Sequence, residues 1–235
     1  MKNQKQIKII KDAASQLGEN SAKILGIHLE GPFLNPEKRG IHNKDWFLPL
    51  TIDNYKKIED DFIKIVTLAP ELDNGLIEYL NKKNIKVQAG HCTGEDLQNC
   101  TGATHLFNAM SGIHHRQAST TLSALLNDDI YVEIIADGVH LSDDILKLIF
   151  RTKPIDKIIL VSDCLPCAGA NECEFEFAGE KIYYDGKRAT SKDGTLAGSS
   201  SLLPQIIERL KMLGLYSPIL LENTYKYHGI KNNEK

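Results

Sequence analysis

The stretch Lys23-Ile-Leu-Gly-Ile-His-Leu-Glu30 is an apolar run that ends in a histidine and a carboxylate. Its β-branched and leucine side chains favour a short strand. Five more runs of this kind follow along the chain: Lys64–Pro70, Lys86–His91, Gly102–Phe107, Tyr131–Val139 and Lys157–Asp163. We therefore expect six strands, most of them ending in a side chain that can do chemistry.

Helical patterns fill several of the intervals between these runs. Asp73–Lys83 carries Leu and Ile at helical spacing, and Leu141–Arg151 opens at Ser142, a residue suited to capping a helix. Met1–Gln16 precedes the first run, and Leu202–Leu213 follows the last one. Strand-then-helix units of this length indicate parallel strands joined by crossover helices, so the sequence predicts an α/β protein.

The places where the strands end favour a barrel of the TIM type, (β/α)8, over a doubly wound open sheet. A barrel draws its reactive groups from the carboxyl ends of several strands. A doubly wound sheet concentrates them at one crevice and usually carries a glycine-rich phosphate turn, which Gly31-Pro32-Phe33 is not. Because only six of eight strands are recognisable, we expect an incomplete barrel whose missing strands would lie before residue 1.

The predicted domain organisation has two parts. Residues 1–217 form the partial barrel, with a β-hairpin insertion near 173–195 that turns at Asp185-Gly186. Residues 218–235 form an atypical tail, expected to fray from Tyr225 onward.

Composition excludes several classes of function. With 235 residues, 42% of them hydrophobic, and a net charge of −3, the chain has neither a basic field for nucleic acid nor a span for a membrane. The N-terminus lacks the apolar core of a signal peptide, so we expect a cytoplasmic protein. Five cysteines include Cys164-Leu-Pro-Cys167, which could serve zinc or redox chemistry, but without a second such pair packed, reduced thiols are the better interpretation.

The strand-end residues Glu30, His91 and His105 would point to one mouth of a barrel. Imidazole and carboxylate ligands with an open position suit a catalytic divalent ion, zinc first, with iron or another metal as alternatives. Asp163 closes the last strand and is the natural acid/base residue. A lone histidine is more often a hydrogen-bonded packing residue, so the hypothesis of a metallohydrolase depends on these four groups occurring together.

Five ordered motifs carry a resemblance. They are His28-Leu-Glu-Gly-Pro-Phe-Leu-Asn-Pro36 with Lys38-Arg-Gly-Ile-His42, Gly102-Ala-Thr-His-Leu-Phe-Asn-Ala-Met110, Ala136-Asp-Gly-Val-His140, Val161-Ser-Asp163 and Gly194-Thr-Leu-Ala-Gly-Ser199. In this order they resemble the N-acetylglucosamine-6-phosphate deacetylase family of amidohydrolases. The resemblance implies a metal-dependent barrel that hydrolyses the N-acetyl group of N-acetylglucosamine 6-phosphate, a small phosphorylated amino sugar.

The resemblance also implies a role for each matching position. Glu30, His91 and His105 would be the metal ligands, with Asp163 as the catalytic acid/base. The substrate would be bound by Ile41, His42, Asn108, Ala109, Arg116, His140, Leu196, Ala197 and Gly198. Arg116 matches an arginine that this family supplies to the phosphate across a dimer interface, which implies a homodimer.

Departures from the family pattern leave other functions open. Gln117-Ala-Ser119 stands where the family usually has Glu-Pro-Gly, and segments from both ends of the family pattern are not recognisable. The alternatives are a truncated remnant that only binds ligand, or a different amidohydrolase of the dihydroorotase or adenine deaminase kind. Asp137 and His28 could lie at the site or outside it, Trp46 could be a lid residue, and His114-His115 reads as a solvated loop.

Overall fold

The computed structural model describes residues 2–18, 21–171 and 173–230. In chain order, its regular elements are α1 (Lys2–Gln16), β1 (Ile27–Glu30), α2 (Ile52–Lys56), β2 (Ile63–Leu68), α3 (Leu76–Lys82), β3 (Lys86–Ala89), β4 (Gly102–Ala103), α4 (Thr120–Leu126), β5 (Tyr131–Ile134), α5 (Asp143–Thr152), β6 (Ile158–Leu160), β7 (Cys173–Phe177), β8 (Glu180–Tyr184), β9 (Ala189–Ser191), β10 (Leu196–Gly198), α6 (Leu203–Met212) and α7 (Ile219–His228).

The first six strands form one parallel sheet in the order β1-β2-β3-β4-β5-β6. Neighbours in the chain are neighbours in the sheet, so the order never reverses as it does at the switch point of a doubly wound fold. The sheet curls into a half-barrel of six strands, which confirms the predicted α/β class and the six predicted strands. Within the described residues β6 and β1 do not pair, and closure into eight strands remains a prediction.

The core lies between the outer face of this sheet and the helices. Val66, Val87 and Val132 are fully buried on that face, against helix residues such as Leu80 and Leu146. The two helices predicted in the middle of the chain are present at α3 and α5, each with its N-terminus capped. Asp73 accepts the amides of Leu76 and Ile77, and Ser142 accepts the amide of Ile145.

The predicted hairpin insertion is part of a four-stranded antiparallel sheet, in the order β10-β9-β8-β7. It has a small hydrophobic cluster of its own, formed by Ile182, Tyr184 and Ala189 together with Ile41 and Leu165 from the half-barrel loops. The main core and this cluster are separate. The loop that carries Ile41 therefore packs with the small sheet.

Residues 219–228 form helix α7, whereas the sequence predicted fraying from Tyr225. Asn223 is fully buried and donates to the carbonyl oxygens of Ile155 and Ile158 at 2.8 and 2.7 Å, next to the outer edge of β6. The hydroxyl of Tyr227 lies 2.9 Å from that of Thr101, and its ring is buried on the inner face of the sheet. These tertiary contacts outweigh a polar local sequence. The last five residues of the predicted tail, 231–235, lie outside the described residues.

Replacing Asn223 with alanine is expected to lower the free energy of unfolding by about 2 kcal/mol, because it leaves the buried carbonyl of Ile158 and the half-buried carbonyl of Ile155 without this donor beside an open sheet edge. Chemical denaturation measures this. Glu222→Ala, an exposed change on the same helix, is the control and should stay within about 0.5 kcal/mol of the wild type. Equal stability of the two variants would show that α7 does not hold β6.

No helix among the described residues is both long enough and apolar enough to cross a membrane.

Candidate metal centre

The carboxyl ends of the parallel strands converge on one cavity of about 430 Å³. It is lined by Glu30, Glu37, Lys38, Gly40, Ile41, His42, His91, His105, Asn108, Ala109, His140, Asp163, Cys164, Leu165, Phe177, Thr195, Leu196, Ala197 and Gly198. Of the thirteen site residues predicted from the sequence, only Arg116 is not in the lining. Arg116 is exposed, on the loop that follows His114 and His115.

The carboxylate of Glu30 is the centre of this cavity. Its Oε1 lies 2.7 Å from Nε2 of His91, 2.9 Å from Nε2 of His105 and 3.8 Å from Nε2 of His42. Glu30, His42 and His91 offer ligand atoms that all lie within 4.8 Å of one another, so this group could hold a metal ion. The sequence predicted His105 as the third ligand. His105 contacts the same carboxylate oxygen, and His42 joins from the neighbouring loop.

The hydrogen bonds of His91 test whether a cation fits. The carbonyl of Lys38 can only accept a hydrogen bond, and it lies 2.7 Å from Nδ1 of His91, so Nδ1 carries the hydrogen. In the neutral ring Nε2 then presents a lone pair to Glu30. Two lone pairs at 2.7 Å repel unless a proton or a cation lies between them. A carboxylate and imidazoles in this arrangement match the donor set of zinc-type sites.

The electrostatics agree with a cation position. Burial alone would raise the pKa of Glu30, but His105 above all, with hydrogen bonds from His42 and His91, holds this pKa well below its ordinary value. Burial lowers the pKa of His91, although Glu30 opposes it. The pKa of His105 moves the other way, because the charge of Glu30 outweighs the effect of burial. The carboxylate of Glu30 therefore stays ionised, and its negative charge attracts either a proton on a neighbouring imidazole or a metal cation.

Asp163 faces the same cavity from the end of β6 and is open to the water in it. Enclosure by the cavity walls, followed by the charge of Glu30, raises its pKa to about 6. A carboxyl group with such a pKa can accept and donate protons near neutral pH. Its backbone carbonyl accepts the amide of Ser199 at 2.9 Å, which ties the segment ending in Gly198 to Asp163. A Cβ at Gly198 would lie 2.9 Å from Cγ of Leu165, so this close approach requires glycine.

Backbone strain concentrates at this edge of the sheet. Eight described residues other than glycine have a positive φ, and five of them border the cavity or lie in its loops: His91, His105, Phe107, Ala109 and Asp163. Residues in such conformations cost of order 1–3 kcal/mol each and persist where the surrounding structure holds them, commonly at functional sites. The strain is therefore independent support for a site here.

The sequence did not decide whether Asp137 lies at the site. In the structure it lies behind the cavity and is not part of its lining. Its Oδ2 lies 2.8 Å from Nδ1 of His140 and accepts the hydroxyl of Ser199 at 2.9 Å, while Oδ1 accepts the amides of Val139 and His140. It orients His140, which does line the cavity. His28, the other open residue, points into the half-barrel, where its Nε2 lies 2.6 Å from the hydroxyl of Thr67.

A polar chain lies beneath the centre on the inner face of the sheet. The hydroxyl of Thr67 lies 2.6 Å from that of Thr104, which donates to the side chain of Gln88, and Gln88 donates to Glu133 at 2.9 Å. Glu133 lies 3.9 Å from Nδ1 of His28. His28, Thr67, Gln88 and Glu133 lie on β1, β2, β3 and β5, and Thr104 directly follows β4, so the hydrogen-bonded chain ties neighbouring strands of the sheet together.

The hydrogen bonds to Asp137 give a testable pH dependence. Burial would raise the pKa of Asp137, but the hydrogen bonds from His140 and the backbone outweigh it and lower this pKa to about 2. A lowered carboxyl pKa stabilises the fold above the unfolded value near 4, and this contribution is lost as the pH falls toward 2. Asp137→Asn is expected to cost about 2 kcal/mol of unfolding free energy at pH 6. Denaturation at pH 6 and at pH 3 should show this cost shrinking, and a cost independent of pH would contradict the assignment.

Comparison with known proteins bears on what this centre is. The chain is 39% identical over 199 residues to the N-acetylglucosamine-6-phosphate deacetylase of Bacillus subtilis strain 168. The matched region covers 80% of this chain and 50% of that relative. The chain is a homologue of the N-acetylglucosamine-6-phosphate deacetylases. The resemblance stated from the motifs is thereby confirmed. No family model matches the chain.

Two further matches are a relative named for a different amino sugar and a solved structure. The N-acetylgalactosamine-6-phosphate deacetylase of Escherichia coli O157:H7 is 29% identical over 197 residues, covering 79% of this chain and 52% of that protein. The crystal structure of the N-acetylglucosamine-6-phosphate deacetylase of Thermotoga maritima superposes with a TM-score of 0.84 and 27% sequence identity. The superposed region covers 97% of this chain and 64% of that one. The chain spans about half the length of the curated relatives it matches.

Three functional features escaped the sequence analysis. The resemblance implied a role for His42 at the substrate but no closeness to Glu30, because that closeness depends on how a loop returns over the sheet. The support of His140 by Asp137 was also unforeseen, although Asp-x-x-His spacing was a possible signal. Phe177 lines the cavity from the hairpin, and its sequence position carries no signal of this.

Proposed function

We propose that this chain carries the centre of a metal-dependent amide hydrolase, which removes the N-acetyl group of N-acetylglucosamine 6-phosphate and yields glucosamine 6-phosphate and acetate. The observation that supports it most is one carboxylate oxygen, on Glu30, within 2.9 Å of two imidazole nitrogens, with Asp163 in the same cavity. The homology to deacetylases supplies the reaction class. The same homology supports the proposal that the half-barrel is part of an eight-stranded barrel of the TIM type.

One divalent ion, zinc first and iron or another metal second, would be held by Glu30, His91 and His105, with His42 beside them. Bound there, it would acidify a water molecule and polarise the amide carbonyl. The residues prepare for this: the carbonyl of Lys38 orients His91, and the burial of both strand-end imidazoles excludes competing water.

Asp163 is proposed as the acid/base residue. With a pKa raised to about 6 it is mainly ionised at neutral pH, yet basic enough to accept a proton from the attacking water. It then gives this proton to the departing nitrogen, because an amine leaves readily and an amide anion does not. At neutral pH water is a weak nucleophile and an amide is a weak electrophile. This proton transfer therefore contributes a large part of the rate acceleration.

The remaining lining residues are proposed to bind the sugar phosphate. The side-chain nitrogen of Asn108 donates to the carbonyls of His105 and Leu106, which holds this side chain in place beside the cavity. Ala109 would offer its amide to the phosphate, and His140 its ring to the sugar. Ile41 and His42 would cover one side of the ligand and Leu196, Ala197 and Gly198 the other.

Arg116 is proposed to serve the phosphate of a second copy of the chain, in a homodimer. The supporting observation is that Arg116 is exposed and absent from the cavity lining of its own chain, although the motif order matches the family. A guanidinium binds phosphate through two parallel hydrogen bonds, which a lysine cannot do.

The proposal is tested by incubating the purified chain with zinc and N-acetylglucosamine 6-phosphate and measuring acetate and free amine together. Equimolar release of both is expected, and none in the presence of a chelator. Binding of the sugar phosphate without release would favour the ligand-binding alternative. Ring opening of dihydroorotate or release of ammonia from adenine, without release from the sugar phosphate, would place the chain among other amidohydrolases. N-acetylgalactosamine 6-phosphate measures the preference between epimers.

A further inference from the structure

Phe177 is an apolar side chain left open at the mouth of the cavity. It is the last residue of β7, it is 38% exposed, and it lines the cavity together with Leu196 and Ala197 of the same small sheet. Phe175, two residues earlier on the same face, packs against the small cluster instead. Burial of its own side chain therefore does not account for an aromatic residue at position 177.

The backbone presents Phe177 in a fixed place. β7 and β8 pair in register through Phe177 and Glu180, and only Ala178 and Gly179 connect them. Both have a positive φ, 52° and 83°, as a tight two-residue hairpin turn requires. The tip of the hairpin is thus short and defined by its hydrogen bonding, and its last strand residue points consistently to one face.

The tip is held against the loop that carries His42. A Cβ at Gly179 would lie 3.2 Å from two ring atoms of Trp46, so the turn packs directly against that indole. Nη1 of Arg39 lies 3.9 Å from Oε1 of Glu180 and also donates to the carbonyl of His42 at 3.3 Å. Together with Ile41 in the cluster of the small sheet, these contacts join hairpin and loop into one wall of the cavity.

The depth of the cavity indicates which part of a bound ligand would contact Phe177. His91 and His105 are only 5% and 6% exposed and form its base, where the amide has to react. The rest of the ligand then faces the mouth. A pyranose in the chair form has C–H groups clustered on its ring faces, and such a face packs against an aromatic ring while its hydroxyls keep their polar partners.

We infer that Phe177 contacts the substrate, forming an apolar platform for the pyranose ring at the cavity mouth. This inference rests on the proposed function and deepens it. Phe177 then supplies binding energy that is equal in the ground state and in the transition state, since it is remote from the reacting amide. Its removal should weaken binding and leave the chemical step nearly unchanged.

The test measures binding of N-acetylglucosamine 6-phosphate to the zinc-loaded chain by calorimetry, in an Asp163→Asn background so that turnover does not consume the ligand. Phe177→Ala is expected to weaken Kd about tenfold, consistent with partial loss of the apolar area of one aromatic side chain. Phe177→Tyr keeps the ring and should stay within about twofold of the parent. Tyr183→Ala, which removes an aromatic ring from the same sheet at a position outside the cavity lining, should also have no effect.

With Asp163 restored, Phe177→Ala is expected to raise KM about tenfold and to change kcat less than about threefold. An unchanged Kd in Phe177→Ala would overturn the inference and leave the proposed function standing. A Kd weakened equally by Tyr183→Ala would overturn it too, since the effect would then come from the sheet as a whole. Absence of any binding by the parent chain would overturn both proposals.

Discussion

Replacing Glu30 with glutamine is expected to weaken zinc binding by at least about a hundredfold and to abolish amide hydrolysis. The change keeps the shape of the side chain and removes the charge that the imidazoles of His91 and His105 share. Oε1 of Glu30 is 2.7 Å from Nε2 of His91 and 2.9 Å from Nε2 of His105, so loss of the carboxylate charge changes both contacts. Equilibrium dialysis followed by metal analysis measures the affinity directly.

Glu37→Gln is the matched control for this experiment. Glu37 also lines the cavity and is exposed, but no described contact joins its carboxylate to the imidazole group. This variant should bind zinc as the wild type does. If Glu30→Gln retained one tightly bound zinc per chain, the ligand assignment would be wrong and the ion would have to lie elsewhere.

Replacing Asp163 with asparagine is expected to lower kcat by about two to four orders of magnitude, the usual contribution of a positioned acid/base group. Zinc content and Kd for the sugar phosphate should change little, because Asp163 makes no described hydrogen bond to the imidazoles. Cys164→Ser is the matched control, an adjacent and exposed residue in the same lining, and should keep nearly full activity.

The pH profile gives a second readout for Asp163. Enclosure and the charge of Glu30 raise its pKa to about 6, so the ionised base is lost as the pH falls through this region and kcat/KM should fall with it. A cation at Glu30 would offset that charge and move the acidic limb to lower pH. The limb should vanish in Asp163→Asn. A full acidic limb in that variant would assign the titration to another group.

Those parts of the fold that follow local periodicity could be predicted from the sequence. The six apolar runs became the six parallel strands, and Glu30, His91, His105 and Asp163 lie together because strand ends meet at one edge of a parallel sheet. The order of the strands alone predicts this grouping. The distances between the side chains do not follow from it.

The features that depend on tertiary contacts could not be predicted. Helix α7 forms because Asn223 and Tyr227 find partners on β6 and on the inner face of the sheet, although its local sequence is polar. His42 comes within 3.8 Å of Glu30 because Ile41 packs in the cluster of the small sheet. Phe177 reaches the cavity for a similar reason. In each case the partner is distant in sequence, so no local pattern records the contact.

Anomalous scattering at the zinc edge, from crystals of the zinc-loaded chain, would locate the ion itself. We expect one strong peak in contact with the carboxylate of Glu30 and the ring of His91, with His105 or His42 completing the ligands. A peak at Cys164 and Cys167 or at His114 and His115, with none at Glu30, would contradict it.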